Sequence, residues 1–98
     1  MLLKDCFVLD FKKEVDLLIE TANQIVPENF GWSLFVNTWQ DGTYLLELRH
    51  GFKTADGVSY IDRLYYKNTK DYIRYIRVSG GDTVVEKKIE ITHPSATG

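Results

Sequence analysis

The sequence has almost no cysteine and no long apolar run. Cys6 is the only thiol, so an intrachain disulfide is excluded. No stretch approaches the roughly 20 apolar residues that a membrane-spanning helix needs. Met1-Leu2-Leu3-Lys4-Asp5 meets two charges before an apolar segment develops, so it does not read as a signal peptide. A cytoplasmic location without a membrane partner remains by elimination. A strong surplus of one charge is missing too. Twelve Lys and Arg stand against 14 Asp and Glu, for a formal net charge of -2. A dedicated duplex-DNA binder usually shows a clear positive balance. Internal repeats, linkers and low-complexity segments are also lacking.

Chemical motifs are equally scarce. The soft or nitrogen metal ligands are Cys6, His50 and His93, far apart and without paired spacing. No metal and no cofactor is expected. Cys6 reads as a small hydrophobe beside Phe7. Neither Cys6 with His50 nor Ser59 with His50 lies in a nucleophile-elbow pattern. Glu47 and Asp62 form a carboxylate pair, but any chain of this length offers some. Gly80-Gly81 has no GK[ST] or GxGxxG around it, so it is not a phosphate loop. A small-ligand or catalytic role is the least supported reading.

What is present fits one globular domain. The 98 residues are 44% hydrophobic and 27% charged, ordinary values for a single folded unit. Aromatics reach 13%, with six Tyr, five Phe and two Trp. Cys6 to Leu9 read as a short first strand, with Asp10 as an N-cap. Phe11, Val15, Leu18, Ile19, Ala22 and Ile25 or Val26 then recur at the helical period. Lys12, Lys13, Asp16, Glu20, Asn23 and Gln24 make the opposite face, and Pro27 ends the helix. Such a helix needs an apolar surface to cover it.

The rest of the chain reads as a sheet. Trp32–Trp39 and Thr43–His50 flank Asp41-Gly42, a strong hairpin signal. A two-residue turn there sets Trp39 opposite Tyr44, Asn37 opposite Leu46 and Phe35 opposite Leu48, all towards the helix. Leu34, Val36, Thr38, Leu45, Glu47 and Arg49 fall on the other face, and Trp32 becomes the exposed tryptophan. Asp56-Gly57 and Gly80-Gly81-Asp82 mark further turns around strands at 58–67, 72–79 and 84–92. Residues 69–78 also carry a helical pattern, through Tyr72, Ile73 and Ile76, but their β-branched and aromatic content favours a strand. The expected fold is α+β: an N-terminal amphipathic helix packed on one face of a five- or six-stranded antiparallel meander sheet. It occupies residues 1–92, with a disordered tail at 93–98.

Charge is unevenly placed. Residues 1–31 hold three basic and six acidic groups, and residues 58–79 hold five basic and two acidic ones. From Tyr60 to Arg77, five tyrosines and five basic residues interleave. Trp32, Arg63, Tyr65, Lys67, Tyr72, Arg74, Tyr75 and Arg77 are therefore the candidate binding residues. The first expectation is a non-enzymatic interaction domain, with a protein partner or a homodimer formed through the exposed sheet face, because Tyr and Arg are enriched at interface hot spots. The second is single-stranded nucleic-acid binding by stacking and phosphate contact. A solvated sheet face of Tyr, Arg, Lys and Glu has the same composition. Glu86 and Glu90 are placed to neutralise Arg74 or Arg77 across the strands.

Overall fold

The computed structural model describes residues 3–91, with side chains described from Phe11 onward. Cys6 and the expected tail at 93–98 thus lie outside the described side chains. The order is α1 (Leu3–Ile25), β1 (Ser33–Thr38), β2 (Tyr44–Lys53), β3 (Ser59–Lys67), β4 (Tyr72–Ser79) and β5 (Asp82–Glu90). The strands form one antiparallel meander in the order β1-β2-β3-β4-β5. This is an α+β fold with five strands, not six. Residues 72–79 are a strand, so β-propensity prevails over the helical pattern there.

Residues 6–9 are helical, not a strand, and Asp10 lies inside α1 rather than capping it. The reason is periodicity: Leu3, Phe7, Phe11 and Val15 keep a four-residue spacing that continues the helical pattern upstream. Leu18, Ala22 and Val26 are buried from the helix side, against Tyr44, Leu46, Leu48, Leu64, Tyr66, Ile73 and Tyr75 of the sheet. Ile19 is 40% exposed, because the buried stripe runs through Glu14, Leu18, Thr21 and Ala22 instead. The Tyr66 hydroxyl donates to Glu14 Oε1 at 3.2 Å, and Thr21 Oγ1 donates to the Leu17 carbonyl at 2.8 Å. The helix packs on β2 and β3. Val85, Ile89 and Ile91 add a half-buried flank from β5 and the residue beyond it.

The β1–β2 register departs from the two-residue turn. Thr38 pairs with Tyr44, Val36 with Leu46 and Leu34 with Leu48. The Trp39 amide donates to the Thr43 carbonyl at 2.9 Å and the Gly42 amide to the Trp39 carbonyl at 3.2 Å. The loop is therefore three residues, Gln40 to Gly42. A two-residue type I′ turn needs positive φ at both central positions. Only Gly42 has it, at 89°. Asp41 instead accepts from the Thr43 amide at 3.0 Å, the local bond an aspartate makes across a turn.

A one-residue slip turns every side chain of a strand to the other face. Trp39, Asn37 and Phe35 consequently lie on the face away from α1, while Leu34, Val36 and Thr38 lie on the α1 side. The expected placement of Trp39 inside and Trp32 outside is reversed. Trp32 is half-buried against the core, and Trp39 is 49% exposed. By contrast, Gly80 and Gly81 both have positive φ, and Ser79 pairs with Asp82 across a two-residue turn.

Candidate functional site: the uncovered sheet face

Strand alternation gives the sheet two faces of different chemistry. Cross-strand register aligns one outward row of Phe35, Glu47, Tyr65, Arg74 and Lys88. The next row holds Ser33, Arg49, Arg63, Ile76 and Glu86. Lys67 and Tyr72 stand at one end of this face. Of the expected binding residues, Arg63, Tyr65, Lys67, Tyr72 and Arg74 are brought together here. Tyr75, Arg77 and Trp32 are not, because they lie on the α1 side.

Glu47 organises the outer face. Its carboxylate accepts from Arg49 Nε at 2.8 Å, Arg49 Nη2 at 3.2 Å and Arg63 Nε at 2.7 Å. Burial pushes the Glu47 carboxyl up, but hydrogen bonds from Arg49 and Arg63 outweigh it and hold the group below the usual carboxylate range. Cations then cover aromatic rings. The Arg49 guanidinium sits 4.2 Å from the centre of the Phe35 ring, and the Lys88 ammonium 4.2 Å from that of Tyr72. Arg63 over Tyr65 and Lys67 over Trp39 are each at 5.4 Å. All four lie within the range of a cation–π attraction. Arg74 pairs with Glu86 at 2.7 Å, one of the neutralising pairs expected from the sequence.

A groove of about 250 Å³ opens at one end of this face, lined by Leu45, Tyr65, Lys67, Lys70, Tyr72 and Arg74. Its wall is fixed by Asn68. Asn68 Oδ1 accepts from the Tyr44 amide at 2.9 Å, and Asn68 Nδ2 donates to the Gly42 carbonyl at 3.1 Å. The β3–β4 turn is thereby tied to the β1–β2 loop. Among the described residues, Lys67 and Lys70 make no ion pair within 4.0 Å. Two ammonium groups and two tyrosines thus line one concavity.

The α1 side holds a different cluster around Asp62, which is fully buried. Its carboxylate accepts from Arg77 Nε at 2.7 Å, Arg77 Nη2 at 2.9 Å, the Tyr75 hydroxyl at 2.9 Å and Asn29 Nδ2 at 2.6 Å. Burial raises the Asp62 carboxyl, yet the bonds from Arg77, Asn29 and Tyr75 prevail and keep it below the usual range. Burial and the bond to Asp62 push the Tyr75 phenol up to about 12. Beside this cluster runs an aromatic row. Trp32 and His50 rings are 5.5 Å apart, His50 and Phe52 6.0 Å, and Phe52 and Tyr60 5.3 Å. Arg77 lies 5.0 Å from the Phe52 ring centre. Arg77 and Tyr75 therefore serve the inside of the molecule.

Sequence reasoning put Leu45, Glu47 and Arg49 on the outer face correctly, but it turned Phe35 and Trp39 towards the helix and did not single out Lys70. The signal was in the loop: with three residues between Trp39 and Thr43, Trp39 and Phe35 fall beside Lys67 and Arg49. Among the described residues, no three His, Cys, Asp or Glu side chains come together as a metal site, and no helix is long and apolar enough to cross a membrane. No protein-family model, curated protein or solved structure matches this chain.

Proposed function

We propose that this domain is a non-enzymatic binding module that takes an acidic segment of a protein partner on its outer sheet face. The observation that carries the reading is the groove between Tyr65, Tyr72, Lys67, Lys70 and Arg74, in which neither lysine makes an ion pair within 4.0 Å among the described residues. A carboxylate entering it meets the Lys67 and Lys70 ammonium groups, and an apolar neighbour meets Leu45 and the tyrosine rings. Arg and Tyr are the residue types that anchor protein interfaces. The face is also held in place before binding, because Glu47 fixes Arg49 and Arg63. Fixed side chains lose less entropy when a partner arrives.

Two observations favour a peptide over single-stranded nucleic acid. The rings of Tyr65, Tyr72, Trp39 and Phe35 each lie against a cation of the chain itself, so a base has to displace that cation to stack. Glu47 and Glu86 also lie among the cations, which penalises a strand with a phosphate at every residue more than a peptide whose sparser carboxylates seat in the groove. Of the three buried carboxylates among the described residues, Glu47 and Asp62 are held ionised by arginine and Glu14 accepts from Tyr66 beneath the helix, which disfavours Glu47 and Asp62 as proton-transfer groups.

The test is an NMR titration of the 98-residue chain with a decapeptide of alternating Glu and Leu, and separately with a ten-nucleotide oligothymidine. Peptide-induced shifts at Leu45, Tyr65, Lys67 and Lys70 that vanish in Lys67→Glu/Lys70→Glu support the reading. Tighter binding by the oligonucleotide, with a steep salt dependence that Arg74→Ala flattens, replaces it with the nucleic-acid reading. Absence of both responses overturns it.

A further inference from the structure

The two edges of the sheet are unlike. Five of the nine residues of β5 are charged: Asp82, Glu86, Lys87, Lys88 and Glu90. Charges on an edge strand discourage pairing with another chain. β1, Ser33-Leu34-Phe35-Val36-Asn37-Thr38, has no charge, and all six of its residues are exposed. Leu34, Phe35 and Val36 are each 41–42% exposed. Apolar side chains thus project from both faces of an edge that nothing among the described residues covers.

The hydrogen-bond phase of that edge follows from the hairpin. The Trp39 amide points to β2, where it donates to Thr43. Backbone groups alternate in direction along a strand, so Phe35 and Asn37 also bond towards β2. Leu34, Val36 and Thr38 turn their amides and carbonyls outward. These groups are a template for one more antiparallel strand.

We propose that the added strand is β1 of a second copy of this chain, paired antiparallel across a two-fold axis at Phe35. Leu34 of each copy then hydrogen-bonds with Val36 of the other, with both side chains on the α1 side. The two Phe35 side chains meet on the outer face. Apolar groups oppose apolar groups throughout the centre of the contact. Because β1 is uncharged, the symmetric pairing sets no like charges directly opposite each other across the two strands. The alternative, β1 of one copy on β5 of the next, buries the β5 charges against an apolar strand and does not close. The two-fold pairing closes. It makes a ten-stranded sheet whose two remaining edges are both charged β5 strands, which stops further growth.

The interface is independent of the groove, which lies on β2, β3, β4 and the β3–β4 turn. A strand pair this short falls at the small end of interface sizes, so the dimer should dissociate on dilution in about the micromolar range.

Sedimentation velocity from about 1 to 500 µM, roughly spanning the range of weak complexes, should show a monomer passing to a dimer. Val36→Lys should remain monomeric throughout with an unchanged circular dichroism spectrum. A second readout does not depend on how that variant folds. In a Cys6→Ser background, Phe35→Cys should form a disulfide-linked dimer on mild oxidation. Across the axis it is a non-hydrogen-bonded pair, with Cα atoms about 4.5 Å apart, which suits a disulfide. Val84→Cys on β5 should not crosslink. A wild-type chain that stays monomeric at the highest concentration overturns the proposal and leaves the edge to a strand from a different protein. So does Phe35→Cys that crosslinks no better than Val84→Cys. Loss of peptide binding in Lys67→Glu/Lys70→Glu with an intact dimer leaves the inference standing, so the two readings fail separately.

Discussion

Asp62 and Glu47 are both nearly sealed carboxylates, one on each face of the same sheet, with side chains 0% and 5% exposed. Both are held ionised by arginine, yet they do different things. Asp62 binds one arginine and two neutral donors, Tyr75 and Asn29. Through Asn29 it ties the segment after α1 to β3 and β4. Glu47 has only arginines, Arg49 and Arg63, whose side chains are 42% and 31% exposed. The first carboxylate closes the inside of the molecule. The second holds cations in place on a face that no described element covers. What distinguishes them is what the partners can do once the carboxylate is gone.

The largest effect should come from Asp62→Ala, which leaves Arg77 beside the core without its carboxylate. Removing one member of a buried pair costs about 3–5 kcal/mol, read as a lowered urea midpoint. Glu47→Ala should cost less, about 1–2 kcal/mol, because Arg49 and Arg63 can turn into water and only net hydrogen-bond energy is lost. Equal losses in the two variants would erase the distinction between the two carboxylates.

Acid should act on both. A depressed folded-state pKa contributes stability that is present above the unfolded carboxylate value, about 4, and is lost as pH falls through the folded value. Thermal midpoints should therefore hold steady in the neutral range and drop below about pH 4. In both Asp62→Ala and Glu47→Ala that acid-dependent drop should shrink.

The smallest effect belongs to Tyr75→Phe, about 1 kcal/mol for one hydrogen bond. It should also change the alkaline limb. The Tyr75 phenol, raised to about 12, contributes stability fully present below about pH 10 and lost as pH rises towards its folded value. Tyr75→Phe should lack that loss. An unchanged alkaline profile would mean that Tyr75 does not hold Asp62.

Much of the architecture was legible. The stripe of Leu18, Ala22 and Val26, the turn residues Gly42, Gly57, Gly80 and Gly81, and the alternation of Val85, Ile89 and Ile91 each act locally, through spacing or φ. The outer face was legible only in its middle, where Arg63, Tyr65 and Arg74 follow from alternation within single strands. It failed at β1, because facing depends on whether Asp41-Gly42 closes a two- or three-residue loop, and both are compatible with the same residues. It failed again at Tyr75 and Arg77. Alternation separates them from Arg74 but does not say which set meets α1.

The chain by itself determined that a helix and hairpin-linked strands form, because helical period, β-propensity and glycine turns are short-range properties. Only the tertiary structure decided which face each strand presents, which arginines meet carboxylates and which strands form the sheet edges. Those outcomes depend on register, and register is settled jointly by loop closure and by burial of Tyr44, Leu46 and Leu48 under α1.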